Sequence, residues 1–521
     1  MMLADGFWCG SQRRWSWQVA AVLLLALGGA GCRRLAPAAV SAAPVSAEFA
    51  DVTVAAGLEG AAGETCAWGD YNNDGFVDVM TGKGLYRNQG DGTFMPVPAG
   101  PQGEGVWADF DNDGRLDYLS VAGNGGLYRN VDGEHFTLTP IPPNPQPTRP
   151  RAACADANND GFVDLYITTY ESSFGGPIYP SLFYLATGNG TFAEPVSLTG
   201  KTAWAARGAN WADFDNDGDQ DLYISNYRLM PNQLWVNDGT ARFEDQAKAR
   251  GVYGVATAGK EPASASYPEY EYTGHTIGSC WGDLNNDGNL DLVVVNFAHP
   301  PEWQNRTQIQ INSGAPDYGF TNLNEANKAG VYWQESYAKA ALGDYDNDGD
   351  LDLYITAVYP ADRGELFANQ GNGTFTPVGD ATRLRTANSY QVSWVDYDND
   401  GDLDLFAANR LYRNPGHGHA WLKVNVRGGD GSNGAAIGAR VRVTAGDRVQ
   451  IREVCGGNSG NQDPLVLHFG LGDHSRKVKV EVFFPSGKTR TVTVKPGQTI
   501  TLSERDARRP RSGAAYGKRV P

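Results

Sequence analysis

The pattern Asp-x-(Asp/Asn)-x-Asp-Gly-x-x-Asp occurs seven times in this chain, starting at Asp70, Asp109, Asp156, Asp213, Asp283, Asp344 and Asp396. If each loop curls around one point, the oxygens at positions 1, 3, 5 and 9 converge there. The first loop would offer Asp70, Asn72, Asp74 and Asp78, and the second Asp109, Asp111, Asp113 and Asp117. The third offers Asp156, Asn158, Asp160 and Asp164, and the fourth Asp213, Asp215, Asp217 and Asp221. The fifth offers Asp283, Asn285, Asp287 and Asp291, the sixth Asp344, Asp346, Asp348 and Asp352, and the seventh Asp396, Asp398, Asp400 and Asp404. A carboxylate-rich, all-oxygen cage suits a hard cation, Ca2+ before Mg2+, because calcium accepts more numerous and more flexible oxygen ligands. The expectation is up to seven Ca2+ per chain. Like charges this close repel unless a cation neutralises them.

The flanks define the frame. Two residues before the first Asp stands Trp68, Trp107, Cys154, Trp211, Trp281, Leu342 or Trp394, and after the ninth residue comes a short apolar run such as Leu165-Tyr-Ile-Thr168 or Leu292-Val-Val-Val295. An EF-hand would need an acid at position 12 and flanking helices. Position 12 is Thr81, Ser120, Ile167, Ile224, Val294, Ile355 and Ala407, so that reading is excluded. Downstream, stretches such as Leu85-Tyr-Arg-Asn-Gln-Gly-Asp-Gly-Thr-Phe94 carry a third strand, a Gly-containing hairpin turn and the start of a fourth strand. Four antiparallel strands in each of seven units predict an all-β, seven-bladed β-propeller over residues 49–418. Phe49-Ala-Asp-Val-Thr53 matches the outer strand of other units, yet it precedes the first blade. It is therefore expected to complete blade seven and close the ring, removing its sheet edges.

These repeats resemble the FG-GAP/VCBS family of calcium-loop propeller blades, the kind also found in integrin α-subunit heads. From His419 the pattern changes to plain alternation, as in Val478-Lys-Val-Glu-Val-Phe483, and six or more strands over residues 419–505 predict a small β-sandwich. Ala436-Ile-Gly-Ala-Arg-Val-Arg-Val443, His468-Phe-Gly-Leu-Gly472 and Phe484-Pro-Ser-Gly487 resemble the ASPIC/UnbV domain. The preceding loop, residues 456–462, lacks the aromatic and the Ser-Gln pair often found there in that family but retains Gln462. A propeller followed by this domain resembles the cartilage-acidic-protein-like family.

At the N-terminus, Arg13 and Arg14 precede an apolar run and then Gly29-Ala-Gly-Cys32, which reads as a bacterial export signal over residues 1–31 with Cys32 as lipidation site. Ordinary cleavage within residues 36–47 is the alternative. Residues 32–48 read as a flexible tether and 506–521 as a basic frayed tail. The expected location is the cell envelope or the exterior, with membrane attachment only through the lipid. A net charge of −17 excludes a nucleic-acid partner. Cys66, Cys154, Cys280 and Cys455 read as buried free thiols, the first three in inner strands; a disulfide among them is the alternative, though no spacing identifies it.

Loops joining strands one and two must all lie on one face of a propeller. The opposite face carries the long connections, including residues 259–275, and with them Tyr170, Tyr227, Arg228, His275, Asn296, His299 and Tyr359. Aromatic and hydrogen-bonding residues on variable loops suit recognition of a surface protein or a glycan. The functional expectation is a calcium-binding adhesion or ligand-binding module; the alternative is a Ca-dependent polysaccharide lyase or hydrolase on the same frame.

Overall fold

A computed structural model describes residues 48–121, 125–143, 150–171, 176–255, 273–299 and 305–507. Residues 1–31, read above as an export signal, the expected lipidation site Cys32, most of the expected tether, residues 256–272 and the tail from 508 lie outside them. The chain forms a seven-bladed propeller followed by a β-sandwich.

Each blade begins with a buried inner strand, such as Cys66–Gly69 or Ala206–Ala212, that leads into a cation loop. The ninth Asp of every loop is the first residue of strand two: Asp78–Thr81, Asp117–Ser120, Asp164–Thr168, Asp221–Asn226, Asp291–Phe297, Asp352–Ala357 and Asp404–Ala407. Every residue of these second strands is buried, because a blade is covered by neighbours on both faces. That is why they read as continuous apolar runs rather than alternation. In blade three the outer part is reduced to a separate two-stranded hairpin, Ala186–Gly188 with Thr191–Phe192.

Blade seven is composite. Ala50–Asp51 pairs antiparallel with Arg410–Arg413, as the sequence predicts. Side chains also tie the seam between blades seven and one: Asn88 Nδ2 donates to the Tyr397 carbonyl at 2.8 Å, and Asn399 Nδ2 to the Gly75 carbonyl at 3.0 Å. The same asparagine of strand three bridges to the preceding blade in five other places, for example Asn130 to Tyr71 and Asn414 to Tyr345.

The sandwich has seven strands in two sheets. One orders Leu467–Gly472, Ala420–Arg427 and Gln498–Ser503, the last two parallel; the other orders Arg448–Glu453, Arg440–Ala445, Val478–Phe483 and Thr489–Val494. Its alternation is visible in Val478, Val480 and Val482, all at 0 % exposure, while Lys479 between them is exposed. The sandwich does not hang free. One continuous buried cluster runs from Tyr71, Trp107 and Tyr166 of the propeller into Leu422, Val441 and Phe469 of the sandwich.

Candidate functional site

The cation loops are built alike. The N–H of the position-six glycine donates to the position-one carboxylate in all seven, from Gly75 onto Asp70 to Gly401 onto Asp396. The position-five carboxylate accepts from the N–H two residues on, as Asp74 does from Phe76. In six of the loops the ninth Asp accepts from two backbone N–H groups, as Asp78 Oδ1 does from Asn88 at 2.8 Å and Oδ2 from Tyr71 at 3.3 Å; among the described residues Asp221 accepts only from Asn237, at 2.9 Å. These bonds aim the carboxylates inward. Position four, which the pattern left open, is Asn in every copy and holds φ between 55° and 60°. Asn is among the few non-glycine residues that enter this region readily. In six of the seven its amide then reaches the next loop, as Asn73 does to the Gly114 carbonyl and Asn112 to that of Gly161.

Among the described residues four loops bring three carboxylate oxygens within 4.8 Å of one another: Asp109, Asp111 and Asp117; Asp213, Asp215 and Asp221; Asp344, Asp346 and Asp348; and Asp396, Asp398 and Asp404. In the other three, position three is Asn, and its Nδ2 donates to the position-five carboxylate, as Asn72 does to Asp74 at 2.8 Å. Burial, followed by the neighbouring carboxylates and opposed by backbone hydrogen bonds, pushes Asp78, Asp117, Asp164 and Asp291 up to about 8. Oxygens of Asp111, Asp215, Asp221, Asp344 and Asp396 are buried with no hydrogen-bond partner. Buried acceptors without donors are costly, and a hard cation is the group this donor set fits. These aspartates could hold metal ions, which would supply the missing positive charge.

The sandwich lies on this face. Lys423 Nζ is 2.5 Å from Asp396 Oδ2 and 2.5 Å from Asn399 Oδ1. Arg440, with 2 % exposure, bonds to Glu453 at 2.8 Å and to the Asp213 carbonyl and Asn216. His468 Nε2 meets the Gly401 carbonyl at 3.0 Å. The approach is close enough that a Cβ on Gly434 would fall 1.9 Å from Asp109 Oδ2. A cavity of about 530 Å³ remains between the two layers, walled by Asp344, Asp396, Lys423, Arg452, Asp463 and Trp281. All four cysteines are free thiols; Cys66, Cys154 and Cys280 are buried as expected, whereas Cys455 is exposed, and Cys280 and Cys455 both line this cavity.

The loop after the strand Arg448–Glu453 enters the propeller's central channel and bonds to all seven inner strands. Gln462 exchanges backbone bonds with Cys66 and Trp68, and its amide brackets Trp107, accepting from N–H at 2.7 Å and donating to C=O at 2.8 Å. The Gly456 carbonyl accepts from Cys154 N–H at 3.0 Å. Ser459 N–H donates to Asn210 Oδ1 at 2.7 Å, its Oγ accepts from Ser279 N–H at 3.1 Å, and its carbonyl accepts from Lys339 Nζ at 2.5 Å. Asp463 Oδ1 accepts from Ser393 Oγ at 2.5 Å. The stretch that departs from the ASPIC/UnbV pattern is thus a plug.

On the opposite face the structure gathers most of the sequence-predicted recognition residues. Ring centroids run from Tyr170 to Tyr227 at 5.9 Å, Tyr227 to His275 at 4.4 Å, His275 to His299 at 5.4 Å and His299 to Tyr359 at 6.1 Å. Tyr359 is 37 % exposed, whereas Tyr170 is buried. Arg228 is bound to Glu171, and His299 Nδ1 lies 2.8 Å from Glu335. Burial, with His299 and Arg228 nearby, holds His275 down at about 3. Asn296 is not part of this surface: it is buried, accepting from Thr276 at 2.8 Å and donating to the Arg306 carbonyl at 3.0 Å. The sequence reading missed Arg207 and Tyr390. The Arg207 guanidinium stands over the rings of Tyr170 at 4.6 Å, Tyr390 at 5.2 Å and Tyr227 at 5.8 Å. No spacing signals this, because Tyr390 belongs to blade seven and Arg207 to blade four.

Fold and loops together define the class: a propeller of FG-GAP-like repeats joined to an ASPIC and UnbV domain. Residues 109–167, 156–224, 283–355 and 344–407 match the FG-GAP-like repeat, and residues 429–509 match ASPIC and UnbV. The chain belongs to this family and is homologous to cartilage acidic protein 1. It is 24% identical to the Homo sapiens protein over 379 residues, covering 68% of this chain and 52% of that protein. With the Xenopus tropicalis protein the identity is 25% over 374 residues, covering 66% and 53%. The chain therefore spans about half the length of these curated relatives. Among solved structures, an Agrocybe aegerita protein described as recognising non-reducing terminal N-acetylglucosamine aligns with a TM-score of 0.39 and 19% identity, covering 60% of this chain and 79% of that one. Among the described residues no helix is long and apolar enough to cross a membrane.

Proposed function

We propose that this protein is an exported, calcium-loaded ligand-binding module that acts in adhesion or capture at the cell surface. It holds calcium in its loops and meets a protein or glycan partner with the opposite face. The observation that carries this reading is the continuous set of rings from Tyr170 to Tyr359 on a face the sandwich leaves free. Aromatic side chains offer large contact area with little entropy to lose, which suits binding anchors. The other face cannot serve in the same way, because the sandwich covers its loops and plugs the channel. Calcium acts as a clip for the inner hairpins of the blades, and Cys32 would tether the module to a membrane by lipid.

The test is binding of the calcium-loaded full chain to arrays of glycans and envelope proteins, repeated with Tyr359→Ala and Tyr227→Ala. Lost binding in folded variants supports the reading; unchanged binding in both refutes it. Product release from a bound polysaccharide, abolished by His275→Ala or His299→Ala, would establish the enzymatic alternative instead.

A further inference from the structure

At the free-face mouth of the central channel, six blades each contribute one side chain to a small ring. Glu64, Glu104, Arg151, Arg207, Lys339 and Tyr390 come from blades one, two, three, four, six and seven. Arg151 spans both carboxylates, at 2.7 Å to Glu104 and 2.7 Å to Glu64, so those two acids are taken. Lys339 points inward, and its ammonium is used up by the carbonyls of Arg207 at 3.1 Å, Ile277 at 3.0 Å and Ser459 at 2.5 Å. Arg207 is left. Among the described residues no carboxylate pairs with it; three tyrosine rings hold it instead. Beside it is a recess of about 50 Å³ lined by Glu64, Arg151, Tyr170, Arg207, Lys339 and Tyr390.

We infer that this mouth binds the carboxylate of an acidic sugar, such as a uronic or sialic acid residue, with Arg207 as the anion-binding group. The inference rests on the ligand-binding reading of the same face and narrows its ligand. Arg151 takes both carboxylates and the Lys339 amine is spent on three carbonyls, so Arg207 is the cation of this ring that no described carboxylate meets, in a chain that is otherwise strongly acidic. A planar guanidinium presents paired N–H donors that match a carboxylate, and stacked tyrosines hold its plane without using those donors. The recess has room for one carboxylate and not for a sugar ring. The ring must therefore rest outside, where Tyr227, His275, His299 and Tyr359 continue the surface. Aromatic faces next to a single anion site favour a sugar over an acidic peptide, whose flanking amides would find few partners on these rings.

The experiment uses the calcium-loaded full chain and immobilised oligosaccharides of galacturonate, glucuronate, mannuronate and sialic acid, each beside its carboxyl-reduced counterpart. Calorimetry on the best binder then compares wild type with Arg207→Gln, Arg207→Lys and Tyr359→Ala. The expected result is a preference for the acid form of about 10–100-fold, as a charge-assisted bidentate contact supplies. Arg207→Gln should abolish that preference, Arg207→Lys should keep part of it, and Tyr359→Ala should weaken acid and reduced forms alike. Equal binding of both forms, with Arg207→Gln and Arg207→Lys silent, overturns the carboxylate assignment and leaves the ligand-binding face standing. Binding of acidic peptides but of no glycan through Arg207 overturns the sugar assignment. Absence of any ligand, with Tyr359→Ala silent everywhere, overturns both. Arg207→Lys keeps the test decisive if Arg207→Gln does not fold.

Discussion

Chelation should destabilise this fold more at about pH 8 than at about pH 5, and the sign follows from the ninth aspartates. Without cations, Asp78, Asp117, Asp164 and Asp291 sit at about 8, mainly through burial, against 3.8 for the ordinary carboxyl. Between those values the folded chain holds protons that the unfolded chain has released. Stability therefore falls as pH rises, by at most about 1.4 kcal/mol per pH unit for each such group. Raising the pH from about 5 to about 7 would cost up to about 3 kcal/mol per carboxylate, and the loss is complete once the pH passes the folded value. Bound calcium reverses this. It favours the ionised form, so protons compete with it, and its affinity should weaken as pH falls from about 8 to about 6. At a free calcium concentration of about 100 times the dissociation constant, each occupied site would add about 2.7 kcal/mol. The assay is thermal unfolding with EDTA and with calcium at the two pH values. A chelated protein as stable at about pH 8 as at about pH 5, or one whose melting temperature calcium does not raise, would refute the reasoning.

Gln462→Ala should lower stability by about 2–5 kcal/mol in urea titrations, because it leaves the buried N–H and C=O of Trp107 without their partners. Asn414→Ala removes donors to the carbonyls of Tyr345 at 2.7 Å and Leu403 at 3.0 Å, and a loss of about 1–3 kcal/mol is expected in the same assay. Lys423→Met strands the buried Asp396 carboxylate, which predicts a loss of about 3–5 kcal/mol in EDTA and a larger rise in melting temperature on adding calcium than in wild type.

The legible parts of this molecule were those encoded within one stretch of chain. Aspartates at fixed offsets, the glycine between them and the apolar run that follows specify a loop between two strands whatever surrounds it. Seven copies then imply the ring. The exchange that places Ala50–Asp51 beside Arg410–Arg413 was readable because each unit has a fixed strand count and the seventh lacked one. Position four was readable in principle, since Asn73, Asn112, Asn159, Asn216, Asn286, Asn347 and Asn399 are identical, but that identity acquires a reason only from the left-handed φ. Asn296 shows the opposite failure. A polar residue at a strand end looks like a surface group until its bonds to Thr276 and Arg306 are seen.

What the sequence determined by itself is local: cation loops, blade hairpins, alternation in the sandwich and the order of the two domains. What only the tertiary structure decided is which surfaces meet. Nothing in the spacing of Lys423, Arg440 or Gln462 shows that the sandwich covers the cation loops, nor that residues 455–463 plug the channel. Nor does it show that Arg207 of blade four shares a cage with Tyr390 of blade seven. Those contacts join residues far apart in the chain, and charge and shape complementarity between two folded surfaces leaves no periodicity in either segment. The loops are therefore readable one at a time, whereas the covered face and the free one exist only once the ring has closed and the sandwich has docked.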